Sequence, residues 1–365
     1  MTASLTAAVA ARLATLGLGD WGPALALAPT EVAQVLSAAA HEGLVCLLGA
    51  ALDGGLVHVD TASASQVEAA WAEAMARVVQ LDGLLLEVHA CLTAAGIDTR
   101  VLKGVAIATL DEPDAAWRSY NDIDVLVPAT RLLDAADALA VRGMRPAAAP
   151  VGRRWAARHA KSLTLTHPSG AQVDLHRMLA AGVFGARLRN DCLFERGREF
   201  SVGGRVMTAL ADQHRFLHAC YHAALGGTRG TRHQRDVLLL AQAVGPDAVE
   251  PLWPEGWSPA VVAAALRWAG GGDATLPPAW DEWLRSVCID PADAALLNSY
   301  GGSYRELAMA EWRATKGLLP RVRFAAALVW PSSENLRARG RSRWGNLRSL
   351  AGAGRTLGTR RRRSP

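Results

Sequence analysis

The sequence predicts an α+β fold: a short block of strands, residues 97–180, set between two helical segments. Three observations predict it. Residues 1–96 and the chain after Gly182 carry apolar residues at helical spacing, with breaks at glycine and proline. Asp122–Val127 (Asp-Ile-Asp-Val-Leu-Val) reads as a strand. Lys161–Thr166 and Ala171–His176 alternate in character on either side of His-Pro-Ser-Gly, the pattern of a hairpin. The expected division is a helical segment at 1–96, the strand-containing core at 97–180, a helical region at 181–330 and a basic tail, expected to be disordered, at 331–365.

In chain order, Thr2–Leu16 is an Ala/Leu-rich helix. Pro29-Thr30-Glu31 opens a second helix, with Thr30 as its expected N-cap, running to about Leu52; Asp53-Gly54-Gly55 breaks it. Ser65–Ala95 forms a long third helix, with Val67, Trp71, Met75, Val78, Leu85 and Val88 on its apolar positions. Gly83 weakens it only modestly, and Gly96 ends it as a left-handed cap. Ile97–Leu102 follows as a strand, Val105–Leu110 as a helix, and Pro128 stops the Asp122 strand. Arg131–Val141 is a helix closed by Gly143, and Ala147–Arg158 is a loop with Arg153, Arg154 and Arg158. After the hairpin, a short extended piece is expected near Phe200–Met207. Helices are then expected at Met207–Leu225, Arg232–Val244, Pro291–Leu297 (proline in first position), Tyr304–Lys316 and Pro320–Trp330.

Composition narrows the classes. No apolar run approaches the ~18 residues of a spanning helix, and the first twenty residues lack the pattern of a signal peptide. Five scattered cysteines without Cys-x-x-Cys spacing fit a reducing cytoplasm and argue against structural zinc or a disulfide framework. The net charge of +5 is concentrated at one end: ten arginines and one glutamate follow from Glu334 on, so the rest of the chain is slightly acidic. Only Lys103, Lys161 and Lys316 are lysines, and the first two fall beside the candidate site, where a compact ammonium suits an anion.

Asp122 and Asp124 share one face of a strand, because side chains alternate with a period of two. Two carboxylates on one face repel unless a cation lies between them, and Mg²⁺ with its oxygen ligands is the simplest partner. Metals held this way can serve phosphoryl transfer. Asp174 shares a face with Gln172 and His176, away from Val173 and Leu175, and makes sense as a third carboxylate facing the first two. Lys103-Gly104, between a strand and a helix, offers backbone N–H groups and a positive charge to a phosphate. His214, His218 and His222 recur every four residues, but the acid of a His-Glu-x-x-His site is missing and packing histidines are the favoured reading.

Leu102-Lys103-Gly104, Arg118, Asp122-Ile-Asp124-Val-Leu-Val127 and Val173-Asp174-Leu175-His176 together resemble the uncharacterised nucleotidyltransferase family of the DNA polymerase beta superfamily. So do His41-Glu42-Gly43-Leu44, Leu217-His218…His222…Arg235-Asp236 and Trp330-Pro331-Ser332. The resemblance implies a small mixed β-sheet nucleotidyltransferase core with helices on it. It implies transfer of a nucleoside monophosphate from an NTP, ATP among them, to an acceptor, with release of pyrophosphate. By that likeness Asp122 and Asp124 hold Mg²⁺ (or Mn²⁺), and Asp174 binds one metal and helps activate the acceptor. Gly104 lets the triphosphate approach, and Lys103 and Arg118 neutralise it. Many members carry serine after the glycine; Val105 stands here, leaving more to Lys103. His176 and Lys161 are expected behind the carboxylates, orienting them or meeting substrate. The acceptor, a small molecule or a protein, is not readable. The alternative is a non-catalytic binding or regulatory protein that kept the fold; an RNA substrate, reached through the basic tail, is a third and less favoured reading.

Overall fold

The structure, a computed structural model, describes residues 2–147, 160–226, 230–271 and 274–300, with isolated residues between 309 and 322. Arg153, Arg154, Arg158, Trp330-Pro331-Ser332 and the arginine-rich tail lie outside the described residues, as do all but a few residues of the helices expected at Tyr304–Lys316 and Pro320–Trp330.

The chain opens with four helices: α1 (Thr2–Ala14), α2 (Pro29–Glu42), α3 (Val45–Asp53) and α4 (Thr61–Ala94). The single helix expected from Pro29 to Leu52 is two, because Gly43 adopts φ +70°, a left-handed cap that ends α2. Thr30 is not its cap. Ala28 flanks the helix, and the Glu31 carboxylate accepts the Ala28 N–H at 2.8 Å. The long α4 begins four residues earlier than expected because Asp60 caps it, accepting from the N–H groups of Ala62 and Ser63 at 2.9 and 3.0 Å. Gly96, with φ +63°, follows its end as the sequence suggests. Two short strands, β1 (Leu25–Ala26) and β2 (Val57–His58), pair in parallel within this segment.

The central sheet has seven strands among the described residues: β3 (Arg100–Val101), β4 (Asp122–Leu126), β5 (Arg145–Pro146), β6 (Ser162–Thr166), β7 (Gln172–His176), β8 (Gly197–Val202) and β9 (Arg205–Leu210). Their order is β5-β6-β7-β4-β3-β9-β8. It is a mixed sheet: β4/β7 and β3/β9 run parallel and the other neighbours antiparallel. The hairpin expected at 161–176 is present, but the sheet does not stop at residue 180. Gly197–Leu210 adds a second hairpin, and Met207, expected to open a helix, lies inside β9. The two-residue turn is Gly203-Gly204, both at positive φ, which matches the twist of the flanking strands.

Each face of the sheet has its own core. Ile123, Val125, Val173 and Leu175 pack with Leu81, Leu85 and Val88 of α4 and with Leu132 and Leu139 of α6 (Leu132–Val141). On the opposite face Leu126 joins a larger cluster built from α9 (Asp212–Leu225), α10 (Thr231–Ala243) and α12 (Pro259–Ala269). The remaining helices are α5 (Lys103–Leu110), α7 (Gly182–Arg187), α8 (Cys192–Glu195), α11 (Pro246–Val249), α13 (Pro278–Ser286) and α14 (Pro291–Ser299). No helix among the described residues is long and apolar enough to cross a membrane.

Candidate active site

β4 and β7 are parallel neighbours with Asp124 directly opposite Asp174, so both carboxylates leave the same face of the sheet. That is the face turned to the C-terminal helices. Leu126 and His176 are likewise opposite each other, two residues further on, and both are fully buried. Among the described residues, one oxygen each of Asp124 and Asp174 and one nitrogen of His176 lie within 4.8 Å of one another, an arrangement able to hold a metal ion. Asp122 is on the same face but outside this group. Same-face positions along a strand are about 6.6 Å apart, which sets Asp122 at the rim.

Two donors converge on Asp124 Oδ1. Lys103 Nζ donates at 2.8 Å and His176 Nε2 at 2.7 Å. Burial pushes the Asp124 carboxyl up, but Lys103 and then His176 outweigh it and hold it well below the usual carboxylate range. Asp122 behaves oppositely: burial, then the neighbouring Asp124, raises it, and Asp174 adds to the repulsion. Asp174 Oδ1 accepts from Thr164 Oγ1 at 2.5 Å across the β6–β7 hairpin. Lys161, at the start of that hairpin, makes no hydrogen bond through its ammonium among the described residues. Burial and then Lys103 pull its pKa down, while Asp124 and Asp174 act the other way.

Lys103 and Gly104 do stand at the strand–helix junction, but each for a local reason. Lys103 opens α5 at φ +43°, a left-handed conformation that is uncommon for a side chain with a Cβ and that brings its ammonium to Asp124. A Cβ on Gly104 would sit 2.7 Å from Tyr120 Cβ, so close packing alone demands glycine there. Tyr120 cannot give way easily, being buried with its hydroxyl donating to Asp82 at 2.5 Å. Gly104→Ala is therefore expected to destabilise the fold by about 1–3 kcal/mol in urea unfolding, with nucleotide affinity of the folded protein kept. Lost affinity at full stability would return Gly104 to phosphate binding.

Arg118 has a different task from the one expected. Its guanidinium pairs in two-pronged fashion with Asp236 of α10, with Nη2 to Oδ2 at 3.0 Å, and lies 3.7 Å from Glu112. It is 5% exposed, so the pair is structural and leaves little of the guanidinium for a ligand. The histidine stripe on α9 does not gather into a metal cluster among the described residues. His214 Nε2 meets Glu255 at 3.1 Å and stacks on Trp257, whereas His222 packs edge-on against His233 of α10 at 4.6 Å.

A family profile described as "Uncharacterised nucleotidyltransferase" matches residues 28–255. The chain belongs to that family. This nucleotidyltransferase has the α+β fold expected from its motifs, a mixed sheet with helices on both faces. Solved structures similar to it include the following three. The solution structure of the antibiotic-resistance factor ANT(2'')-Ia is 15% identical, with 53% of this chain and 95% of that one covered and a TM-score of 0.35. The crystal structure of ANT(2")-Ia with adenylyl-2"-tobramycin is 15% identical, with 51% and 97% covered and a TM-score of 0.34. An antigenic nucleotidyltransferase-like protein from Paracoccidioides brasiliensis is 12% identical, with 58% and 93% covered and a TM-score of 0.33. No curated protein matches the chain.

One charged residue near the acidic face went unnoticed in the sequence. Arg232, on the first turn of α10, lowers Asp122 and is itself drawn by Asp122 and Asp124, yet no hydrogen bond or ion pair engages it among the described residues. Only its position in the run Thr-Arg-His-Gln-Arg-Asp, ahead of the family-like Arg235-Asp236, could have drawn attention to it.

Proposed function

We propose that the protein transfers a nucleoside monophosphate from an NTP to an acceptor nucleophile, with Asp124 and Asp174 as the main holders of a divalent cation and Asp122 completing the acidic face. The observation that carries this reading is the register of β4 against β7, which sets Asp124 beside Asp174 on one polar face. The donor set fits a hard ion. Both groups are carboxylates, and among the described residues the hydrogen bonds of each fall on Oδ1, leaving Oδ2 without one. A bound Mg²⁺ or Mn²⁺ would supply charge neutralisation at the transferring phosphoryl group.

The chain's own residues do the rest. His176 and Lys103 keep Asp124 ionised and fixed in orientation, and Thr164 fixes Asp174. Lys161, uncommitted beside Asp174, is placed to meet an anionic substrate. The acceptor oxygen attacks the α-phosphorus, the bond to the bridging oxygen breaks, and pyrophosphate leaves. The acceptor's proton passes to an Asp174 carboxylate oxygen.

Purified protein incubated with α-labelled NTPs, Mg²⁺ or Mn²⁺ and candidate acceptors, itself included, tests this. Expected are metal-dependent NTP binding, label on an acceptor and release of pyrophosphate, all lost in Asp122→Ala and Asp124→Ala that remain folded. Undiminished NTP binding in both variants would contradict the proposal and favour a non-catalytic protein that kept the fold.

A further inference from the structure

We propose that Arg232 is a polyphosphate-binding residue of this site, delivered to it by the N-terminal helical segment; the inference rests on the nucleotidyl-transfer reading above. Three observations carry it.

The first is an arginine without an opposite charge to hold it. The other arginines near the site are committed: Arg118 to Asp236, Arg215 to Asp111 at 2.7 Å, and Arg235 to Glu112. Arg232 is half-buried, and no carboxylate lies within ion-pair distance of it among the described residues. Its nearest charged company includes another guanidinium, Arg118. Burial and that like charge lower its pKa to about 10, against the pull of Asp236, Asp122 and Asp124. A guanidinium kept in such a place is unfavourable for the empty protein and is repaid when an anion binds.

The second is a cradle that aims it. Gly43 sits against the Arg232 side chain: a Cβ there would lie 3.1 Å from Cδ and 3.2 Å from Nη1 of Arg232. Next to it, Glu42 Oε2 accepts the Thr231 N–H at 2.7 Å, fixing the start of α10. The His41-Glu42-Gly43 stretch, nearly 190 residues away in sequence, thus orients the first turn of α10 and leaves room for its arginine.

The third is adjacency to the acids. His233 packs on His222, which lines a small cavity of about 20 Å³ together with His218 and Lys103, and Lys103 in turn bonds Asp124. Arg232, the residue before His233, lies within electrostatic reach of both Asp122 and Asp124. An NTP laid across the carboxylates would meet Lys161, within reach of Asp124 and Asp174, and Arg232, within reach of Asp122 and Asp124, two cations for the triphosphate charge.

The test compares the parent with Arg232→Met and Arg232→Lys, full-length, in equilibrium binding with Mg²⁺ to an NTP, to inorganic tripolyphosphate and to the matching nucleoside monophosphate, with melting temperatures beside them. Arg232→Met is expected to weaken NTP and tripolyphosphate by the same factor, about tenfold to a hundredfold, and to leave the monophosphate unchanged. Its melting temperature should hold or rise, because an unfavourable buried charge is gone. Arg232→Lys should fall between, keeping the charge without the two-pronged donor. If the parent binds NTP and Arg232→Met binds it equally, the inference is overturned and the transfer reading survives. A parent that binds neither NTP nor tripolyphosphate overturns both. A lowered melting temperature in Arg232→Met, with Arg232→Lys binding like the parent, would make Arg232 a packing residue and overturn the inference alone.

Discussion

Asp124→Asn is expected to raise the dissociation constant for NTP in the presence of Mg²⁺ by about a hundredfold or more, while the protein stays folded. Losing even an outer partner of a metal ligand costs about tenfold to a hundredfold in affinity, and Asp124 is proposed as a ligand itself. The substitution keeps the side chain's size and one acceptor oxygen, so Lys103 and His176 retain a hydrogen-bond partner but not a charge. What is lost is the anion that both donors compensate and that the proposed cation requires. Asp174→Asn should lose nearly as much, because Asp174 shares the 4.8 Å group with Asp124. Asp122→Asn should lose less, being two residues along the strand at the rim. Titration with a fluorescent NTP analogue, with and without Mg²⁺, measures the series without knowledge of the acceptor. Equal affinities across the three variants and the parent would contradict the placement of the metal.

The second large effect is on stability. Arg235→Met is expected to destabilise the fold by about 3–5 kcal/mol, the usual result of removing one partner from a buried ion pair. Arg235 Nε donates to Glu112 Oε1 at 2.9 Å, its Nη2 also pairs with Glu112, and both side chains are 1% exposed. Its Nη1 donates to the carbonyls of Ala14 and Leu16 at 3.2 and 2.8 Å, tying the end of α1 to α10. Without Arg235, Glu112 keeps only Arg118, at 3.7 Å, among the described residues, and two carbonyls lose their donor. Adding Glu112→Gln to Arg235→Met should recover part of the loss by removing the stranded charge, and urea unfolding of the single and double variants measures it. The adjoining pair carries a pH signature. Burial raises the Asp236 carboxyl, but Arg118 outweighs it and holds it below its ordinary value. Its contribution is therefore complete above the ordinary carboxylate range and disappears as pH falls through the lower folded value. Arg118→Met should flatten that part of the acid unfolding curve.

These residues mark what a sequence can and cannot announce. Asp122, Asp124, Asp174 and His176 were legible because strand alternation is local: a two-residue period assigns a face before any partner is known. The hairpin at 162–176 was legible for the same reason. Which strands become neighbours is a matter of long-range packing, and the direct pairing of Asp124 with Asp174 came into view only with the register of β4 and β7. The hairpin at 197–210 had a readable signal in Gly203-Gly204 between alternating residues, yet its arrival at the far edge of the sheet, beside β3, depends on the whole topology. Arg118 was expected from the resemblance to neutralise the triphosphate. Its partner, Asp236, lies 118 residues away, and nothing near Arg118 in the sequence points there. At Gly104 a glycine beside a lysine suggests a phosphate cradle, and the structure adds a second reason for glycine, because Tyr120 fills the space a Cβ would take. Arg232 was passed over because what sets it apart, the lack of an ion-pair partner among the described residues, shows only in the folded chain.

The most direct test of the acidic site is anomalous diffraction from crystals grown with Mn²⁺ and a non-hydrolysable NTP analogue. The proposed chemistry predicts manganese bound between Asp124 and Asp174, with the analogue's phosphates on the same side of the sheet. Manganese at another place, or a nucleotide bound away from β4 and β7, would contradict it.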